Sequence, residues 1–280
     1  YQLFFYNYLP CPLSYIFDFI YSCFLIGSVS VMLAGSGMVF HSLLGLPYLI
    51  GVIITIVFIL ITLALNHEGI LTVNSVLIPV LLFITIYTVI SFLCSSLPAP
   101  VQVDAQMNPE ISKMEWFYDS LLYGSYNLVM AIAVMTNILY KEEEENITAA
   151  GILGGITLTV LLLIIFFGLI SIFPQISEFE MPILYLAGKV SRLVYLLYIL
   201  ALYFAMVTTA IANYYAFTMR FISLVKIKYN TGLILGLFFI FPLIPSGFAK
   251  LVDMLYPVFG CLGMLIIFFY IVLLIKYKKK

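Results

Sequence analysis

The run Leu122-Tyr123-Gly124-Ser125-Tyr126-Asn127 places a glycine and two small polar side chains inside an otherwise apolar stretch. Glycine lowers helix propensity by about 1 kcal/mol relative to alanine, so a helix is weakest here. Where a membrane helix is unwound, the freed amides and carbonyls bind a small solute, and Ser125 and Asn127 would add polar groups to that opening. Tyr123, Gly124, Ser125, Tyr126 and Asn127 are therefore the candidate substrate-binding residues. The plainer alternative is a packed glycine between interfacial tyrosines. Thr208 and Thr209 offer hydroxyl oxygens suited to Na⁺, with Asn213 one turn further on. Their alternative is the ordinary bond from a membrane-helix threonine to its own i−4 carbonyl. Asp119 lies near the first group, and Ser30 belongs to a stripe of small residues (Gly27, Ser30, Ala34, Gly37) that suits close helix packing.

Covalent chemistry finds no support. Neither HExxH, GxSxG nor a P-loop occurs, which speaks against an enzyme. Cys11, Cys23, Cys94 and Cys261 form no CxxC, and His41 and His67 read as loop residues outside any ligand cluster. The expected accessory is a coupling ion, Na⁺ or H⁺, with no other metal and no organic cofactor.

The elements that carry these residues are membrane helices. Of 280 residues, 64% are hydrophobic and only 9% charged, whereas a soluble domain carries about 25% charged residues. Mean hydropathy is +1.18. A net charge of −1 speaks against nucleic acid as a partner and leaves the lipid bilayer and a small-molecule solute. Apolar stretches of about 20 residues are each long enough to span. They predict eight helices, over 14–40, 48–66, 70–95, 117–140, 148–173, 190–218, 231–245 and 248–276. Loops on the side of the termini carry Lys141, Arg220, Lys226, Lys228, Lys276, Lys278, Lys279 and Lys280, against Lys113, Lys189, Arg192 and Lys250 opposite. That asymmetry predicts both termini of the chain in the cytoplasm of a bacterial cell membrane. Asp18, Asp119, Asp253, Lys189 and Arg192 lie near helix ends and read as interfacial side chains. The loops 95–116 and 174–189 read as connectors or as covers of an outer vestibule. The Asn146-Ile147-Thr148 sequon and the run Glu142–Glu145 fall on the cytoplasmic side, the latter as a solvated loop.

An internal repeat organises the spans. Gly69, Leu77, Pro79 and Val80 align with Gly247, Leu255, Pro257 and Val258, so that Gly, Leu, Pro and Val coincide at one offset. The same offset sets Ser30 against Thr208 and Ala34 against Ala212. The first three helices then answer the last three. Five helices separate the two blocks, and an odd separation reverses their direction across the membrane, which makes the repeat inverted. Residues 1–95 would be the remainder of a first repeat and 117–280 a complete five-helix second repeat, within one transmembrane domain. Counterparts of the fourth and fifth helices would precede residue 14. With Tyr1 in place of Met, this predicts a chain lacking its first two helices. A five-plus-five inverted repeat is the LeuT-type architecture, so the expected fold is an all-α polytopic bundle of that kind.

The chain also resembles the YkvI-like family of bacterial membrane proteins over nearly its whole length. The resemblance is carried by Gly45-Leu46-Pro47-Tyr48, by Gly69-Ile70-Leu71 with Asn74-Ser75 and Pro79, and by Leu122–Asn127. Further matches are Glu180-Met181-Pro182-Ile183-Leu184-Tyr185-Leu186-Ala187, Thr208-Thr209-Ala210 and Tyr256-Pro257-Val258-Phe259-Gly260. That family is similar to the amino acid–polyamine–organocation transporters. The resemblance implies a secondary transporter with Gly124–Asn127 lining a substrate pocket and Thr208 and Thr209 at a cation site. It also implies a glycine-rich first helix and a second helix ahead of residue 14. The expected function is symport of a small polar solute, an amino acid, with Na⁺ or H⁺. The alternative is a receptor or channel-like subunit of the same fold, of the spore-germination type.

Overall fold

The computed structural model describes residues 11–65, 70–95, 115–138, 144–173, 175 and 179–277, with side chains described over most of these. Among them are nine α-helices and no strand: α1 (Cys11–Leu44), α2 (Tyr48–Leu65), α3 (Ile70–Ser95), α4 (Glu115–Ile138), α5 (Glu144–Ile170), α6 (Pro182–Val190), α7 (Arg192–Val225), α8 (Tyr229–Ile240) and α9 (Phe248–Tyr277). A 3₁₀ turn, Ile244–Ser246, precedes α9. Most of the loop 95–116, His67, Glu142 and the side chains of Cys11, Asn74, Ser75 and Asn146 lie outside the described residues.

Seven of these helices are long and apolar enough to cross a membrane: α1, α2, α3, α5, α7, the α8 segment through Ser246, and α9. The eighth predicted span, α4, is a 24-residue helix with side chains described through Val129. Their burial differs in a way that fits a bilayer. The spanning window of α1 is 72% buried and that of α5 only 6%. α5 turns Ile152, Leu153, Ile156, Phe166 and Phe167 outward, as a lipid-facing helix does when its surroundings are as apolar as itself.

The chain divides into two compact units, each drawing on separate stretches of sequence. The first comprises Tyr1–Val31, Gln106–Glu144 and Ala216–Lys280; the second comprises Met32–Ala105 and Glu145–Tyr215. In the first unit, α9 lies against both α4 and the first half of α1. Gly260 and Gly263 let it approach α4 closely, since a Cβ at Gly263 would fall 2.5 Å from the Ser125 carbonyl oxygen. Phe24 and Phe17 of α1 meet Phe259 and Phe269 of α9, at ring distances of 4.4 and 5.3 Å. The rising residue numbers on α1 against falling ones on α9 make that pair antiparallel.

In the second unit, the last turns of α1 meet the first turns of α7. Val39, Val194, Tyr198 and Ile199 share one buried cluster. The Phe40 and Tyr203 rings pack edge-on at 5.3 Å, and Tyr195 Oη donates to the Ser42 carbonyl at 3.4 Å. This pairing too is antiparallel. Val89 and Phe92 of α3 rest on Leu186 of α6.

Two expectations change here. Residues 182–190 form a helix of their own, with Pro182 in its first turn, where the sequence suggested a connector. Nine residues are too few to span, so length marks α6 as an accessory helix. Ser191 ends it in extended conformation and caps α7, its Oγ accepting the Val194 N–H at 3.1 Å. His41 is no loop residue; it sits in the last turn of α1, with Nδ1 3.0 Å from the Leu46 carbonyl oxygen.

Candidate functional site

The two longest helices end alike. α1 and α7 are each 34 residues long. Both are followed by a residue in left-handed conformation, Gly45 at φ 66° and Lys226 at φ 58°. Both of these residues send their N–H four residues back, Gly45 to His41 at 2.9 Å and Lys226 to Ile222 at 2.8 Å, the simple αL helix stop. Each chain then turns into a helix starting three residues on, at Tyr48 and at Tyr229. In each, a glycine one turn in lies against the helix just left. A Cβ on Gly51 would fall 2.6 Å from the Phe40 Cβ, and one on Gly232 would collide with the Ile222 Cγ2.

One offset, 181 (226 − 45), relates the helix stops, their acceptors, the helix starts and the two glycines, while Phe40 and Ile222, which those glycines meet, stand one place apart from it. It also matches the buried faces of the second helices: Gly51 to Gly232, Val52 to Leu233, Thr55 to Gly236, Ile59 to Ile240 and Leu63 to Ile244. The third helices keep the register read from sequence, 178 (257 − 79), with Pro79 and Pro257 both tenth in their helices. The two registers differ because the second copy spends three residues fewer between the start of its second helix and the start of its third. Thr208 consequently answers Gly27, and the pairing with Ser30 expected from sequence does not hold.

Contacts obey the same register. Asp18 and Arg220 form an ion pair in the first unit, with side chains 5% and 10% exposed. Adding 181 to Asp18 and subtracting it from Arg220 gives Ile199 and Val39, which share the buried cluster of the second unit. Asp18 is therefore no interfacial side chain, as its position near a helix end suggested. It is 3% exposed, and a buried carboxylate needs its partner. Neither charge betrays the pairing in the sequence, since 202 residues separate them.

The residues singled out from sequence fall in both units. In the first, α4 runs unbroken through Gly124, against the expected opening. Asn127 Nδ2 donates to the Tyr123 carbonyl at 2.7 Å and so closes on its own turn. Packing supplies the reason, since the close approach of Gly260 and Gly263 holds this stretch straight against α9. Ser125 and Tyr126 are buried there, while Tyr123, Gly124 and Asn127 face outward. A Cβ on Gly124 would meet nothing within 4 Å. Tyr126 lies between Tyr123 at 5.3 Å and Tyr256 at 4.6 Å. Asp119 is exposed, and beside it Tyr118 Oη comes 3.5 Å from Cys261 Sγ. Ser30 is buried and donates to the Ile26 carbonyl at 2.9 Å.

In the second unit, Thr208 and Thr209 both donate to the Ala205 carbonyl, at 3.2 and 2.8 Å. Their oxygen lone pairs stay free to accept. Asn213 is half-buried one turn on. No group of three or more His, Cys, Asp or Glu side chains gathers among the described residues.

These helices make the chain a polytopic α-helical membrane protein. It is 30% identical over 240 residues to a protein of Bacillus subtilis (strain 168) described as "Uncharacterized membrane protein YkvI", covering 84% of this chain and 67% of that one. It is 22% identical over 255 residues to "Uncharacterized protein YyaD" of the same organism, covering 90% and 72%. The chain belongs to the YkvI family of membrane proteins. No family model matches it, and no solved structure does.

Proposed function

We propose that the chain works as a secondary transporter of LeuT-like fold, moving a small polar solute, an amino acid, together with Na⁺ or H⁺. The observation that carries this reading is the repeated corner with reversed direction. α1 and α7 are equivalent by length, helix stop, glycine contact and register, yet they pack antiparallel. Two equivalent motifs running in opposite directions are what inverted-repeat transporters rock against each other in alternating access. In that scheme α1–α3 answer α7–α9, and two helices answering α4 and α5 complete the first repeat.

The charge of the corners supports an orientation. Lys226 and Lys228 stand at the second corner, while the first, Gly45-Leu46-Pro47-Tyr48, has none. Basic residues stay cytoplasmic, so the second corner and both ends of the chain would face the cytoplasm. Tyr123–Asn127 would take the solute as α4 opens at Gly124, and Thr208 and Thr209 would offer hydroxyl oxygens to the cation.

The test is uptake of radiolabelled amino acids by the full-length protein in proteoliposomes, under imposed Na⁺ and H⁺ gradients. Accumulation that collapses with one gradient supports the reading and names the ion. Folded protein that accumulates no amino acid under either gradient ends it, and saturable binding without uptake favours a receptor.

A further inference from the structure

The second unit carries an open pocket of about 600 Å³ between the end of α1, residues 179–181, α6 and the first turn of α7. Lys189, read from sequence as an interfacial side chain, lines it, as do Glu180, Met181, Leu184 and Tyr185 of the run that carries the family resemblance; none of the candidate substrate- or ion-binding residues does. Its volume lies within the range of small-molecule sites, roughly 300–1,000 Å³. Two opposite charges face it, Glu180 and Lys189. They form no ion pair with each other; among the described residues that contact belongs to Asp18 and Arg220. Both side chains are exposed and so within reach of a ligand.

The rest of the wall is apolar and aromatic. Tyr185 stacks on Phe179 at 4.1 Å and carries the Lys189 Nζ 5.2 Å from its ring centroid, which holds the ammonium at the wall. Met38 and Met181 add adaptable thioethers. Tyr195, anchored through Oη on the Ser42 carbonyl, closes the side toward α7. A purely anionic ligand would meet Glu180 as a like charge, and a purely cationic one would meet Lys189. A neutral sugar would pair with neither charge.

We propose that this pocket binds a zwitterionic amino acid with an apolar or aromatic side chain, its ammonium toward Glu180 and its carboxylate toward Lys189. The proposal concerns binding at this wall and does not require that Tyr123–Asn127 carry a transported solute.

The 280 residues hold a single tryptophan, so Trp116→Phe with Phe179→Trp leaves one tryptophan among them, in the pocket wall, and any tryptophan outside them is changed to Phe as well. In the full-length protein held in lipid nanodiscs, L-phenylalanine and L-leucine should each give a saturable emission change. Glu180→Gln and Lys189→Gln should each weaken binding by about tenfold or more, the loss expected for one charged hydrogen-bond partner. Phenethylamine and 3-phenylpropionate, each lacking one charge, should bind more weakly by a similar factor. Tyr195→Trp in the Trp116→Phe background is the second reporter, should Phe179→Trp disturb the fold. The proposal is overturned if reporter protein that melts and elutes like the unaltered protein shows no saturable change at millimolar ligand. Equal affinity in the Glu180→Gln and Lys189→Gln proteins overturns it as well. Reporter binding that persists in a protein without uptake would end the transport reading and leave this one standing.

Discussion

The α1–α7 contact within the first unit and that within the second are built to one plan from opposite chemistry. In the first unit Asp18 meets Arg220; at the equivalent positions in the second unit, Ile199 and Val39 lie in an apolar cluster. The corners beside them differ in the same spirit. Gly45 reaches its left-handed stop without steric cost, whereas Lys226 adopts it with a full side chain. The backbone plan thus tolerates a change from apolar to charged, provided that both members of a contact change together. The difference has a direction, since the charged version of each feature belongs to the first unit.

Breaking one member of the charged contact should have the largest effect. Arg220→Met leaves Asp18 buried and unpaired, and should cost about 3–5 kcal/mol in equilibrium unfolding of the detergent-solubilised protein. Copying the apolar contact, with Asp18→Ile and Arg220→Val together, should restore most of that loss. A double variant as unstable as Arg220→Met would mean that the two contacts are not interchangeable.

The corner glycines come next. Gly51→Ala should cost about 1–3 kcal/mol, read as a lower melting temperature. Its new methyl would meet the Phe40 Cβ, which every residue but glycine carries. Gly232→Ala meets instead the γ2 methyl of Ile222, which Ile222→Leu removes. That second substitution should therefore rescue Gly232→Ala, while none but glycine at position 40 would rescue Gly51→Ala.

The helix stops should give smaller, opposite effects. Gly45→Ala forces a Cβ into the left-handed region and should lower stability by about 1 kcal/mol. Lys226→Gly relieves the same strain and should raise stability by about 0.5 kcal/mol, the gain being reduced by the freedom glycine has when unfolded. Both are read from the same melting curves. If both substitutions destabilise equally, Lys226 contributes through its side chain as well as its backbone.

Local signals made the helices legible. The second and third were expected over 48–66 and 70–95 and are found at Tyr48–Leu65 and Ile70–Ser95, because Gly45-Leu46-Pro47 and the polar run after Leu65 punctuate long apolar stretches. The matching places of Pro79 and Pro257 were also legible. The register at the corner was not, since apolar residues surround a membrane helix on all sides and leave little period from which to read a face. The Asp18–Arg220 pair and the pocket under α6 depend on contacts between distant segments, and such contacts leave no local pattern. Of the candidate site, chain adjacency alone placed Tyr123–Asn127 together. That α4 stays closed there is decided by Gly260 and Gly263, on a helix that starts more than a hundred residues later.

The change of offset from 181 to 178 spares every helix face. The last matched positions of the second helices are Leu63 and Ile244, and the third helices start at Ile70 and Phe248. Seven residues of chain (70 − 63) thus answer four (248 − 244). Three residues removed within a continuous helix would have turned everything beyond them by about 300°. Removed ahead of the third helix, they leave its stripes as they were, and Pro79 and Pro257 still hold the tenth place in their helices.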